Sequence, residues 1–171
     1  MTVEQAAAWL QRESGWPCRA PVGVVGARDG GAEQEREAER LGKLLADLGV
    51  TVLCGGREGV MEAACRGVAS AGGTSVGLLP DNSWESANPF VSIPIATGIG
   101  EARNAIIARA AICLVAVGGG LGTASEVAFA LKFGRPVFGI ADPPPLPGVR
   151  RVADAEEASR VVARVLLNLA D

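Results

Sequence analysis

A glycine-rich segment in the second half of the chain joins an apolar run to a helical pattern. The apolar run 112–117 predicts a buried parallel strand, and residues 127–133 predict a helix. Between them lie Gly118, Gly119, Gly120, Gly122, Thr123 and Glu126. A glycine-rich turn from strand to helix lets the backbone approach a phosphate closely and points free N–H groups at it. The segment therefore predicts an α/β fold with an anion-binding turn.

Side chains of this turn are candidates for contacts with a ligand. We predict that the N–H groups of residues 119–123 bind phosphate or sulfate, and that Thr123 caps the following helix and adds a hydroxyl donor. Glu126, one turn further on, is expected to face whatever the phosphate carries. The plainer interpretation is a tight glycine turn followed by a surface glutamate.

Strand patterns and helix patterns alternate along the chain. The predicted strands are 21–25, 51–54, 74–79, 90–95, 112–117 and 136–140, and the predicted helices are 32–48, 60–71, 97–110, 123–133 and 153–169, with a loop over 141–149. This alternation is typical of a doubly wound parallel sheet with helices on both faces. We predict one Rossmann-like domain over residues 21–171, preceded by an N-terminal extension, 1–20, in which Val3–Arg12 can form an extra helix.

Two further glycine-rich loops follow predicted strands. Gly26 opens the loop after strand 21–25, and Gly55 and Gly56 open the loop after strand 51–54. In open parallel sheets, ligands bind beyond the carboxyl ends of the strands, where the strand order reverses. Loops that follow three such strands can converge there, so the sequence predicts one binding crevice.

Composition excludes several kinds of chemistry. The 171-residue chain has no His and no Tyr, which rules out a His-based triad, a His metal site and a His general base. Its four cysteines lack CxxC spacing, so no metal is expected, and Cys54 and Cys113 are predicted to be reduced core residues. A net charge of −3 without a basic run argues against nucleic acid as a partner.

The chain is also expected to be cytoplasmic and not to associate with a membrane. No apolar run is long enough to span a bilayer, and the N-terminus lacks a signal pattern. Two common nucleotide-binding patterns are missing as well. The loop 26–31 lacks GxGxxG spacing, no acidic residue closes strand 51–54, and no GK[ST] occurs. An NAD-dependent dehydrogenase is therefore not expected.

Three segments together resemble the Lonely Guy-type superfamily, long mislabelled as lysine decarboxylases. They are GGREGVMEAA (55–64), GEARN (100–104) and GGGLGTASE (118–126), within a resemblance that covers about residues 22–140. Enzymes of this superfamily hydrolyse the N-glycosidic bond of nucleoside 5′-monophosphates, and their signature is PGGxGTxxE with an upstream Arg-Lys pair. The resemblance implies catalytic roles for Arg103 and Glu126 if the chain is an enzyme.

The match to that enzymatic signature is partial. Gly118 stands in place of Pro, Asn104 in place of Lys, and Ser125 in place of a common acidic residue. With these departures, residues 115–137 are more similar to the molybdenum cofactor carrier branch. Its members are small oligomers that hold a phosphorylated pterin without known turnover, which implies a molybdopterin-type ligand here.

Two classes of function stay open. The preferred interpretation is a carrier for a phosphorylated nucleotide-like or pterin ligand that needs no further cofactor. The alternative is a nucleoside monophosphate phosphoribohydrolase, in which Glu126 stabilises an oxocarbenium-like sugar or orients a water. A structural protein with a vestigial pocket is a third interpretation. Lysine decarboxylation is rejected because no segment supplies a convincing lysine for pyridoxal phosphate.

Three arginines near the predicted crevice are further candidates for contacts with a ligand. Arg103 is predicted to bind a second anion, because a helix start does not favour a cation. Arg28 and Arg57 are equally well explained by ligand contact or by surface ion pairs.

Helices 100–110 and 123–133 are predicted to build a homodimer face, with a tetramer as a further step. Their apolar residues are Ile106, Ile107, Val127, Phe129, Leu131 and Phe133.

Overall fold

The computed structural model describes residues 1–16 and 18–169 of the chain. The strands are β1 Pro21–Gly26, β2 Thr51–Cys54, β3 Thr74–Leu79, β4 Ile93–Ala96, β5 Leu114–Val117, β6 Val137–Ile140 and β7 Val149–Arg151. The α-helices are α1 Val3–Arg12, α2 Ala32–Leu48, α3 Val60–Ser70, α4 Arg103–Ala110, α5 Leu121–Lys132 and α6 Ala155–Leu166. Short 3-10 turns lie at Trp84–Ser86 and Gly100–Ala102.

The strands form one parallel sheet of seven strands in the order β4-β3-β2-β1-β5-β6-β7. From β1 to β4 the chain moves toward one edge, and it then crosses back to place β5 beside β1. Because crossovers between parallel strands are right-handed, this reversal moves the connecting helices to the opposite face. The prediction of a doubly wound sheet with helices on both faces is confirmed.

Each face of the sheet has its own apolar core. On one face, Val24 and Val115 pack beneath α2, α3 and α6, and α1 lies against α6 and α2. On the other face, Val25 and Leu114 pack beneath α4 and α5. Neighbouring residues of one strand thus enter different cores, which explains why the central strands read as unbroken apolar runs.

Several predicted boundaries are wrong. β4 begins at Ile93 rather than at residue 90, because the amide oxygen of Asn88 accepts the N–H of Phe90 and holds a turn there. Residues 97–99 are not helical, and α4 follows a 3-10 turn. β7 lies at the end of the segment predicted to be a loop. This three-residue edge strand, Val-Arg-Arg, has too little apolar alternation to be detected.

Within the described residues, the helices are too short or too polar to cross a membrane.

The strongest contact between helices is made by α2 and α3, where two glycines let the backbones approach. A Cβ atom on Gly42 would overlap the carbonyl oxygen of Ala64, and one on Gly67 would overlap that of Glu39. The absence of side chains at these two positions therefore sets the distance between the helices.

Replacement of Gly42 by Ala should destabilise the fold. Alanine favours an exposed helix by about 1 kcal/mol over glycine, but here the added methyl group meets backbone atoms that cannot rotate away. We expect a net loss of about 1–3 kcal/mol in the free energy of unfolding, measured by urea denaturation. Lys43→Ala, on the exposed side of the same helix, is the control and should change it by less than about 0.5 kcal/mol. A stabilised Gly42→Ala variant would contradict this packing.

Candidate functional site

A cleft of about 630 Å³ opens where the strand order reverses, beyond the carboxyl ends of β1 and β5. It is bounded by the loop after β1, the start of α4 and the start of α5. The lining residues are Gly26, Ala27, Arg28, Asp29, Met61, Glu101, Arg103, Asn104, Gly120, Leu121, Gly122, Thr123 and Glu126. The location is the one at which doubly wound sheets bind ligands.

The glycine loop between β5 and α5 depends on backbone conformations that other residues rarely adopt. Gly118 has φ +56°, and its N–H donates to the carbonyl oxygen of Ile140 over 2.9 Å. Proline, which stands here in the enzymatic signature, has no N–H group and requires φ near −65°. Gly119 has φ +137° and packs directly against Thr123. The substitution of Gly for Pro therefore accompanies a backbone path that Pro could not follow.

The predicted start of α5 is wrong by two residues. The helix begins at Leu121 with Gly120 as its N-cap, and no side chain caps it. Thr123 is the third helical residue, is buried against Gly119, and does not cap the helix. Among the described residues, the N–H groups of 119–123 form no hydrogen bond. The free donors of residues 120–123 and the positive end of the helix dipole border the cleft.

Arg103 is the first residue of α4 and is only 5% exposed. Its Nη1 donates to the carbonyl oxygen of Leu78 over 2.7 Å, while Nε has no hydrogen-bond partner. In the described part of the chain, no carboxylate lies within 4.0 Å of the guanidinium group. Gly55 makes room for it, because a Cβ atom there would overlap Nη1. The result is a buried cation without a counter-ion.

Glu126 lies on α5, is 6% exposed, and accepts no hydrogen bond from the described residues. Burial raises the pKa of its carboxyl group from the ordinary value of 4.5 to about 8. The positive charge of Arg103 lowers this pKa and the negative charge of Glu101 raises it, but the loss of hydration outweighs both. At neutral pH the carboxyl group is therefore mostly protonated, and it can donate one hydrogen bond and accept another.

A chain of polar contacts joins α4 to the start of α5. The amide nitrogen of Asn104 donates to the hydroxyl of Ser125 over 3.0 Å, and that hydroxyl donates to the carbonyl oxygen of Gly122 over 2.7 Å. Asn104 and Ser125 stand where the enzymatic signature differs from this chain. Here they brace the glycine-rich turn, and the amide oxygen of Asn104 stays without a partner.

The structure sorts the predicted site residues into two groups. Those that line the cleft are Gly26, Gly120, Gly122, Thr123, Arg103 and Glu126. Those that lie outside its lining are Gly55, Gly56, Gly118 and Gly119, whose roles are turn geometry and close packing. Arg28 lines the cleft and pairs with Glu58, whereas Arg57 pairs with Asp81.

Sequence reasoning did not assign Asp29, Met61 and Glu101 to the cleft. Glu101 belongs to the GEARN segment and Met61 to the GGREGVMEAA segment. Their membership of these motifs is the sequence feature that could have identified them. In the part of the chain that the structure describes, no three His, Cys, Asp or Glu side chains are grouped to hold a metal ion.

The fold and this cleft define a Rossmann-like protein with a glycine-rich turn at the switch point of its sheet. The chain matches the SLOG cluster4 family over residues 19–165 and therefore belongs to that family. It is 43% identical to an uncharacterised protein of Archaeoglobus fulgidus over 137 residues, which are 80% of this chain and 90% of that protein.

Two solved structures are similar to this one along almost their whole length. The molybdenum cofactor binding protein of the phototrophic bacterium Rippkaea orientalis is 32% identical, with a TM-score of 0.83. The molybdenum cofactor carrier protein of Chlamydomonas reinhardtii is 39% identical, with a TM-score of 0.80. In both cases the match covers 88% of this chain and 99% of the other. The resemblance predicted from the three sequence segments is confirmed.

Replacement of Glu126 by Gln should make stability less dependent on pH. Below about pH 4.5 the carboxyl group is protonated in both the folded and the unfolded chain. Between pH 4.5 and about 8 only the unfolded chain ionises, so the wild type loses stability as pH rises, by up to about 1.4 kcal/mol per pH unit. Gln cannot ionise. The free energy of unfolding of the variant, relative to that of the wild type, should therefore rise from pH 4.5 to about 8 and stay constant above that.

This expectation is measured by urea denaturation of both proteins at several pH values from 5 to 9. Glu33→Gln, an exposed site on α2, is the control, and its difference from the wild type should not grow with pH. A Glu126→Gln difference that stays constant from pH 5 to 8 would show that the carboxyl group is ionised in the folded protein.

Proposed function

We propose that this protein binds and carries a phosphorylated pterin-type small molecule, of which the molybdenum cofactor is the leading candidate. The observation that carries the proposal is the buried guanidinium group of Arg103. A buried charge without a counter-ion costs several kcal/mol, and this one lies on the same cleft as the free N–H groups of residues 120–123. A phosphate group of the ligand would satisfy both.

The protonation state of Glu126 favours binding over hydrolysis. A carboxyl group that stabilises a developing sugar cation must be ionised, whereas burial keeps this one mostly neutral at pH 7. A neutral carboxyl group can instead pair with the N–H and C=O groups on the edge of a pterin or a similar heterocycle. The named carrier and binding proteins among the structural neighbours support the same interpretation.

The second candidate function is hydrolysis of nucleoside 5′-monophosphates. It is favoured by the presence of both Arg103 and Glu126 on one cleft. It is opposed by Gly118, which takes a conformation closed to Pro, and by Asn104, which braces α5 in place of the lysine of the enzymatic signature. Phosphorylated substrates and phosphorylated cargo would use the same anion site, so only turnover separates the two functions.

Carrier and hydrolase predict different results for nucleoside monophosphates. As a carrier, the wild type should release no ribose 5-phosphate above background from a panel that includes AMP, yet it should bind a phosphorylated pterin. Glu126→Gln should then change only the affinity. If the protein is a hydrolase, Glu126→Gln should keep binding and lower turnover by about a hundredfold or more. Product release and ligand binding are measured by mass spectrometry and calorimetry.

Arg103→Ala is the second arm of this experiment, and Arg40→Ala on α2 is its control. Loss of Arg103 should weaken binding of inorganic phosphate in either case, seen as a smaller phosphate-dependent rise in Tm relative to the variant's own baseline. Robust hydrolysis by the wild type that Glu126→Gln abolishes would overturn the carrier proposal in favour of the enzyme.

We also propose that the protein forms a homodimer, or a tetramer, through α4 and α5. Of the six apolar residues from which this face was predicted to be drawn, Ile107 and Val127 are fully buried in the core of their own chain and do not contribute to it. Ile106, Leu121 and Phe129 are exposed on the same helices, with Leu121 at the cleft. Exposed apolar side chains on two helices that pack against each other are typical of a contact between subunits.

Ile106→Asp should therefore dissociate the protein into monomers. A charge placed in an apolar contact must be desolvated, which weakens association more than folding because Ile106 is exposed in the single chain. Light scattering and analytical ultracentrifugation at micromolar concentration measure the mass. Trp84→Asp, at another exposed apolar site, is the control and should keep the assembly. A wild type that is only 17.4 kDa would contradict this proposal.

A further inference from the structure

Three sulfur-containing side chains meet directly behind the cleft. Cys54 ends β2, and Met61 and Cys65 lie one turn apart on the same side of α3. They form one buried cluster, against which Phe90 and Val91 pack. The Sγ atoms of Cys54 and Cys65 are 3.5 Å apart. The cluster cannot be recognised from a sequence motif, because it forms only when the fold places β2 against α3.

The two thiols share a hydrogen bond, so their sulfur atoms face each other. The backbone N–H of Gly56 also donates to Sγ of Cys54 over 3.3 Å. Both cysteines are fully buried and carry free thiols. An ion placed at this pair would therefore have two adjacent sulfur ligands.

The thioether of Met61 connects the thiol pair with the cleft. Its Sδ lies 2.7 Å from the position that a Cβ atom on Gly55 would take, so it lies over the residue that follows Cys54. Met61 also lines the cleft itself. An ion that enters the cleft would therefore meet the thioether first and the two thiols behind it.

We propose that Cys54, Met61 and Cys65 form a binding site for the soft monovalent cation Cu(I). Two thiolates and a thioether are soft ligands of the kind that select Cu(I). Structural Zn²⁺ takes four ligands from Cys, His, Asp and Glu, and this chain has no His. Among the described residues, no third Cys, Asp or Glu is grouped with these thiols to hold such an ion.

The charge of the surroundings fits a Cu(I)-dithiolate unit. Two thiolates and one Cu(I) ion together carry one net negative charge. The guanidinium group of Arg103 lies against Gly55, the residue that follows Cys54, because the missing side chain of Gly55 lets it approach. The loaded site and Arg103 would be neutral together, which lowers the cost of burying either charge. This inference does not depend on the identity of the ligand in the cleft.

Anaerobic titration with Cu(I) held by the chelator bicinchoninate tests the proposal. Every protein should carry Cys18→Ser, because Cys18 is an exposed thiol. The otherwise unchanged protein should withdraw one Cu(I) per chain from the chelator, and Cys65→Ala should abolish this. Met61→Leu, which keeps volume and removes the sulfur, should weaken Cu(I) binding by about tenfold. Cys113→Ala removes a buried thiol outside the cluster and should bind Cu(I) unchanged.

Two measurements keep the proposal open to refutation if Cys65→Ala does not fold. Met61→Leu still tests the thioether, and X-ray absorption at the copper edge of the unmutated cluster should show sulfur ligands only. Equal Cu(I) affinity of the unmutated cluster and its Cys65→Ala or Met61→Leu variants would overturn the proposal, as would oxygen or nitrogen ligands. No Cu(I) uptake, with conversion of the pair to a disulfide in air, would assign Cys54 and Cys65 to thiol oxidation instead.

Discussion

The reversal of strand order between β1 and β5 is the constraint on which the rest of this molecule depends. Right-handed crossovers oblige the chain to change faces when it crosses back from β4 to β5. The loops after β1 and β5 therefore turn toward opposite faces and leave a gap between them. Arg103, at the start of α4, and the free N–H groups at the start of α5 both reach this gap from the second face of the sheet.

The charged groups at this gap favour the binding of an anion and lower the stability of the folded chain. The guanidinium group of Arg103 has one hydrogen bond, to the carbonyl oxygen of Leu78, and it lies at a helix start, where the dipole disfavours a cation. Glu126 does not compensate it, because burial keeps that carboxyl group mostly protonated at neutral pH. A bound anion would complete this arrangement, and this is the basis of our proposal that the cleft binds a ligand.

Sequence reasoning succeeded where the pattern is long or repeats. α2, β2 and β3 begin and end at the predicted residues, since helix 32–48 has an apolar stripe, β2 is followed by Gly55, and β3 lies between Gly73 and Pro80. It failed at short or glycine-rich junctions. The start of α5 is decided by the conformation of Gly119 and Gly120, and a capping role for Thr123 was a reasonable but wrong prediction.

The sequence by itself determined the parallel sheet, the positions of the three glycine-rich loops and the family, because all of these follow from periodicity and motifs that are local in the chain. Only the tertiary structure decided that Arg103 is buried without a counter-ion, that Glu126 is mostly neutral, and that Cys54 meets Cys65. Burial and charge interactions sum over groups from distant segments, such as Gly55 and Leu78 around Arg103. A local sequence pattern does not contain this information. The burial and protonation of the site residues are therefore decided only when the helices and strands pack together.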